Sequence, residues 1–141
     1  MKAGTMLVDT NKNRGRAGLS LAIAYYGANG YSVNIPLNDT QWYDLLLEKN
    51  GEFYTVQCKC TTSQTKTIEL KSRGGTKGSV YDNILDHPLD FLFCLDGISG
   101  IMYSIPFKDL QKAGNTKSIS LRTEPTTNNQ GFQTYKYIVS I

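Results

Sequence analysis

Apolar positions cluster in two arms on either side of a single turn. Tyr43-Asp44-Leu45-Leu46-Leu47 and Tyr54-Thr55-Val56-Gln57-Cys58-Lys59 flank Asn50-Gly51. Asn-Gly between two apolar runs predicts a β-hairpin with a two-residue type I′ turn, because both central residues need positive φ. Counting outward sets Lys49 opposite Glu52, Glu48 opposite Phe53, Leu46 opposite Thr55 and Asp44 opposite Gln57, with Lys59 on the diagonal. Upstream, Asp9-Thr10-Asn11 offers N-caps to a helix running to Ala28, with Leu19, Ala22, Ile23 and Tyr26 at helical spacing and Asn29-Gly30 as the stop. Tyr31 to Pro36 reads as a short strand and Thr67 to Lys71 as another. Asp90 to Leu95 is a nearly continuous apolar run, as in a buried strand, and Gly100 to Ile105 can pair with it across Asp96-Gly97-Ile98-Ser99. Pro106 opens a short helix from Phe107 to Ala113, and strands near Ser118–Arg122 and Thr134–Ser140 follow. The pattern predicts an α/β fold: a central mixed β-sheet flanked by helices, with a β-rich C-terminal half.

Composition narrows the class. At 141 residues and 40% hydrophobic content, residues 1–141 are expected to form one domain. No apolar run is long enough to cross a bilayer, and residues 1–16 lack the apolar segment of a signal peptide, so a cytoplasmic protein with no membrane partner is expected. Cys58, Cys60 and Cys94 fall in expected strands and read as reduced core thiols. A zinc site is not expected, since the one histidine, His87, sits in a loop beside Pro88 and four tetrahedral ligands do not assemble.

Opposed residues share one face of a sheet with Cβ atoms about 5 Å apart. Asp44, Gln57 and Lys59 therefore fall in one small patch. A carboxylate and an amide carbonyl are hard oxygen ligands suited to Mg2+, which typically takes only one or two protein carboxylates. A neighbouring lysine can orient or deprotonate a water, as phosphodiester hydrolysis requires. The same triple is equally the polar face of an amphipathic hairpin. Trp42 and Tyr43, just before Asp44, read as sheet-buried aromatics, with base stacking as the alternative. Asp90 is either a supporting partner of the patch or a capped strand end.

The net charge is only +3, but its distribution is uneven. Lys66, Lys71, Arg73 and Lys77 stand against the single acid Glu69 in a Gly-rich stretch, and Lys12, Arg14 and Arg16 form a second basic strip. Such cations can replace condensed counterions along a DNA backbone, or simply solvate a surface. The glycine-rich loop lacks the phosphate-loop spacing of nucleotide-binding proteins, so ATP dependence is not indicated.

At the hairpin the sequence resembles the PD-(D/E)XK nuclease superfamily, in the variant where Gln replaces the Glu of the E-x-K half-motif, here Gln57-Cys58-Lys59. It is most similar to bacterial homing endonucleases associated with group I introns, and more distantly to archaeal-type Holliday junction resolvases. The resemblance extends over Arg14-Gly15, Gly30-Tyr31-Ser32-Val33-Asn34-Ile35-Pro36, Asp90-Phe91-Leu92-Phe93, Tyr103-Ser104-Ile105-Pro106 and the stretch from Leu121 to Gln130. It implies a restriction-endonuclease-like core and a DNA endonuclease that hydrolyses phosphodiester bonds with Mg2+, or Mn2+ as substitute. Asp44 would be the metal-binding acid, Gln57 would stand in the position of the second acid, and Lys59 would be the catalytic lysine. Double-stranded DNA is the implied substrate, with Holliday junction resolution as the alternative. One small domain carries one site, so a homo-oligomer, dimer or tetramer, is expected. One departure stands out. Many relatives carry Glu in a Gly-x-x-Gly-Glu pattern on the first helix, where this chain reads Gly15-Arg16-Ala17-Gly18-Leu19. Leu19 cannot ligate a metal. Either another acid such as Glu48 substitutes for it, or the chain is a weakened nuclease fold acting as a DNA-binding or interaction module.

Overall fold

The structure, a computed structural model, describes residues 11–38, 41–73, 81–83, 85, 87–114 and 117–141, with the backbone alone at 11–12, 72–73 and 81–83. Helix α1 (Asn11–Ala28) opens the described chain. Its end follows from Gly30, which takes φ 87°. Gly30 N donates to the Gly27 carbonyl and Tyr31 N to the Tyr26 carbonyl, both at 3.1 Å, the paired bonds made when a left-handed residue terminates a helix. The Tyr26 and Tyr31 rings close this stop edge to face, 5.9 Å apart.

Strand β1 (Ser32–Asn34) leads to the hairpin of β2 (Leu45–Lys49) and β3 (Glu52–Thr61). Asn50 and Gly51 both have positive φ, 54° and 81°, and the register is the one the turn dictates: Lys49↔Glu52, Glu48↔Phe53, Leu46↔Thr55. Strands β4 (Thr67–Glu69), β5 (Lys71–Arg73) and β6 (Tyr81–Asn83) follow. Then come β7 (Phe91–Asp96), β8 (Met102–Pro106), α2 (Phe107–Lys112), β9 (Ser118–Ser120) and β10 (Ile138–Val139). The central sheet has the order β1-β2-β3-β7-β8-β10, while β4 pairs with β9 and β5 with β6 in two small sheets. Among the described residues, only β3 and β7 run parallel; the other pairings are antiparallel. The sheet is therefore mixed, as expected.

Alternation along β7 sorts the core into two layers. Phe93 and Leu95 join Leu45, Leu47, Val56, Ala22 and Tyr26 under α1. Leu92 and Cys94 face the other way, with Ile68, Leu70, Ile119, Phe107 and Leu110. Burial on both faces explains the unbroken apolar run of this strand.

The sequence pattern misplaces several details. The strand expected over Thr67–Lys71 is split between two sheets, with Leu70 N donating to the Lys117 carbonyl at 2.9 Å. No pattern announced β6. The strand expected over Thr134–Ser140 is a 3-10 turn, Thr134–Tyr137, followed by the two-residue β10. Buried Thr134 holds that turn: its hydroxyl accepts the Arg122 amide at 2.9 Å and donates to the Ser120 carbonyl at 2.8 Å. Among the described residues, no helix is long and apolar enough to cross a membrane.

Candidate active site

The site forms just before β2 begins at Leu45. Asp44 N still donates to the Val56 carbonyl at 2.7 Å, but the strand goes no further. Cys58 is the next residue of β3 whose amide points toward β2, by the alternation of an antiparallel ladder. Asp44 answers that amide with its side chain: Oδ2 accepts Cys58 N at 2.8 Å and Gln57 Nε2 at 3.1 Å. Cys58 and Cys60 pack toward α1, so Gln57 and Lys59 lie on the opposite face. Lys59 Nζ donates to the main-chain carbonyl of Lys71, at the start of β5, at 2.8 Å. The hairpin thus brings Asp44 and Gln57 into contact, and Lys59 is two residues along the same face.

Burial dominates the electrostatics. It pushes the Asp44 carboxyl up, and the Cys58 amide and the Lys59 charge offset this only in part. It pushes the Lys59 ammonium down, against the pull of the Asp44 carboxylate. Each group is therefore closer to its neutral form than in water, as desolvation requires. All three cysteines are free thiols, and burial pushes each of them up, Cys60 to about 11. They are consequently weak nucleophiles and weak metal ligands at neutral pH.

Among the described residues, no three His, Cys, Asp or Glu side chains gather around a common point. The oxygen donors that do meet are the Asp44 carboxylate and the Gln57 amide. Among the described residues, Asp44 uses Oδ2 for both of its side-chain bonds and Gln57 uses its Nε2, which leaves Asp44 Oδ1 and Gln57 Oε1 for a hard cation. Two protein oxygens suit magnesium, which keeps waters and takes substrate phosphate oxygens for the rest of its shell.

The neighbouring residues divide clearly. Leu19 packs half-buried against the apolar layer under α1, and Glu48 Oε1 accepts the Gly51 amide at 3.1 Å, serving the hairpin turn. Asp90 resolves as a strand clamp: its Oδ2 accepts Thr55 N at 2.8 Å and Thr55 Oγ1 at 3.3 Å, and its own amide donates back to the Thr55 carbonyl at 3.1 Å. Of the basic candidates, Arg16 is exposed on α1 and Arg14 Nη1 donates to Thr62 Oγ1 at 3.2 Å. Lys66 pairs with Asp96 at 3.2 Å and Lys71 with Glu69 at 2.9 Å. The side chains of Lys12 and Arg73, and all of Lys77, lie outside the described residues. Trp42 departs from the burial expected of it: it is 37% exposed and stacks on His87, 5.4 Å between centroids and 13° between planes. No sequence signal pairs residues 42 and 87, which lie in separate loops.

The profile of the PD-(D/E)XK endonuclease family matches residues 9–137 of this chain. None of the curated proteins matches it by sequence. In fold it is similar to the solved structure of a bacterial homing endonuclease, I-Ssp6803I, with a TM-score of 0.71 over 92% of this chain and 89% of that one, at 20% identity.

Proposed function

The chain belongs to the PD-(D/E)XK endonuclease family, and from that premise we propose that it is a divalent-metal-dependent DNA endonuclease of the homing type. The observation that carries this reading is the contact of Asp44 with Gln57, with Lys59 beside them on one face of β3. Asp44 Oδ1 and Gln57 Oε1 would hold the metal. When bound, the metal supplies charge neutralisation at the scissile phosphate and lowers the pKa of water.

The remaining work falls to Lys59. With its pKa lowered by burial, Nζ can take a proton from the attacking water or, still charged, stabilise the phosphate as negative charge builds. The bond from the water oxygen to phosphorus forms as the bond to the leaving sugar oxygen breaks. The Lys71 carbonyl keeps Nζ on the site side of the strand throughout.

The test is cleavage of plasmid, linear duplex and four-way-junction DNA in magnesium and in manganese, comparing wild type with Asp44→Ala and Lys59→Ala. Metal-dependent cutting lost in both variants is the expected result, and preference for the junction would turn the reading toward a resolvase. Leu19 favours a second reading, in which the fold binds DNA without efficient cutting. DNA binding retained in Lys59→Ala, together with no cutting by wild type in either metal, would establish that reading in place of the first.

A further inference from the structure

We infer that Trp42 and His87 form a stacking shelf for a nucleobase beside the candidate phosphodiester site, an inference that rests on the nuclease reading above. The two rings lie nearly parallel, and the Tyr43 ring stands at 82° to Trp42 with centroids 6.0 Å apart. Tyr43 itself packs into the core layer of the small sheets, whereas Trp42 keeps 37% of its surface exposed. An indole stacked on an imidazole and met at a steep angle by a phenol ring is held in place while more than a third of its surface stays open. Folding alone gains most from such a large ring when it is fully buried.

Its position gives this exposure a use. Trp42 is two residues before Asp44. His87 lies between Leu85 and Leu89, which pack into the layer on the Gln57 and Lys59 side of the sheet, and it adjoins Pro88, whose carbonyl accepts Thr55 Oγ1 at 3.3 Å. Thr55, Gln57 and Lys59 then form a row along one face of β3. The first is tied to the His87 loop, the second to Asp44 and the third to Lys71. Trp42 thus stands two residues along the chain from Asp44, and its stacking partner His87 precedes Pro88, whose carbonyl holds the first residue of that row.

The occupant this surface fits is a base rather than a phosphate or sugar. An indole offers a flat polarisable face, and every base has a matching one, so the contact adds affinity with little sequence preference. It would favour DNA in which the bases flanking the scissile bond are unstacked or free to unstack.

Trp42 is the only tryptophan of the chain, so its emission reports the shelf directly. The full chain is titrated, in calcium, with a short dye-labelled oligothymidine and with a dye-labelled random-sequence duplex, reading dye anisotropy for binding and Trp42 emission for stacking. Binding accompanied by quenched emission is expected, strongest with the single strand. Trp42→Ala should weaken binding roughly 5- to 150-fold, and Trp42→Phe by less than about 3-fold. Binding with unchanged emission, or a folded Trp42→Ala variant that binds as wild type does, overturns the shelf alone. No anisotropy change with either probe overturns both the shelf and the nuclease reading. Should Trp42→Ala fail to fold, the wild-type emission and Trp42→Phe still decide.

Discussion

The ammonium of Lys59 and the main-chain carbonyl of Lys71 are joined by a 2.8 Å hydrogen bond, so the lysine of the candidate site is held by a strand outside the central sheet. Lys71 also pairs through its own side chain with Glu69. The small sheet thereby sets where the Lys59 charge sits relative to Asp44. Lys59→Met is expected to lower the cleavage rate by roughly 10²–10⁴-fold while changing stability by less than about 1 kcal/mol. The stability change stays small because the lost hydrogen bond is offset by relief of a half-buried charge. Single-turnover nicking and urea denaturation of the same preparation check both halves of this expectation.

Asp44 carries a pH signature whose sign is fixed. Its carboxyl is raised above the usual carboxylate range, chiefly by burial. A group raised on folding stabilises the fold fully below its unfolded pKa and loses that contribution as pH climbs through the folded value. Asp44→Asn removes the buried charge and keeps an acceptor for the Cys58 amide. The variant should be as stable as wild type or more so at about pH 7, with the gap closing toward about pH 4. Urea melts at both pH values decide it; a variant less stable by the same amount at both would contradict the burial cause.

Lys66 and Arg16 should behave differently although both are candidate DNA contacts. Asp96 is 1% exposed, and the Lys66 ammonium 3.2 Å from its Oδ2 compensates the buried charge. Burial pushes this carboxyl up, but the amides of Ile98 and Ser99 and the Lys66 charge outweigh it and hold it below the usual range. Its contribution to stability is present above the ordinary carboxylate pKa and is lost as pH falls through the folded value. Lys66→Ala is expected to cost about 1–2 kcal/mol at neutral pH, reduced by the partial exposure of the lysine. Arg16→Ala should leave stability unchanged within about 0.5 kcal/mol. It should lower the slope of log affinity against log salt by about 0.9 on DNA.

Two glycines predict opposite outcomes. Gly97 N donates to the Thr61 carbonyl at 2.7 Å, and a methyl group at Gly97 would stand 2.8 Å from Thr62 Cγ2 and 3.1 Å from the same carbonyl. Gly97→Ala should cost about 1–3 kcal/mol through forced displacement of packed backbone. A methyl at Gly15, in α1, meets nothing within 4 Å, so Gly15→Ala should add about 0.5–1 kcal/mol by helix propensity. Thermal melts of the two variants should shift in opposite directions.

What could be read from the chain was local. Asn50-Gly51 specifies a turn and the turn a register, which runs from Lys49↔Glu52 to Leu45↔Val56; Asp44, one residue beyond that ladder, meets Gln57 through its side chain. The two-sided burial of Phe91–Asp96 is likewise written in its apolar run. Contacts between distant segments were not legible. Apolar spacing gives Leu19 and Ile23 the same weight as Ala22 and Tyr26, yet the buried line of α1 runs through Gly18, Ala22 and Tyr26. The reason is steric: a Cβ at Gly18 would lie 3.6 Å from that of Cys60, so small residues decide how closely helix and sheet approach. The carbonyl that holds Lys59, the acid that engages Lys66, and the Ser120 carbonyl and Arg122 amide that bind Thr134 and turn an expected strand into a 3-10 turn are all partners supplied from elsewhere in the chain.

The parallel pairing of β3 with β7 has a kinetic consequence. Asp44 and Gln57 are 13 residues apart, within one hairpin, and hairpins close in about 1–10 μs. Docking β7 against β3 must instead bridge the 35 residues between Thr55 and Asp90, and non-local pairing of this kind slows folding. The two oxygen donors are thus neighbours early, once the turn forms, while the element that joins the two core layers arrives later. Weakening the Asn50-Gly51 turn should retard folding, whereas loosening the Thr55–Asp90 clamp should mainly hasten unfolding.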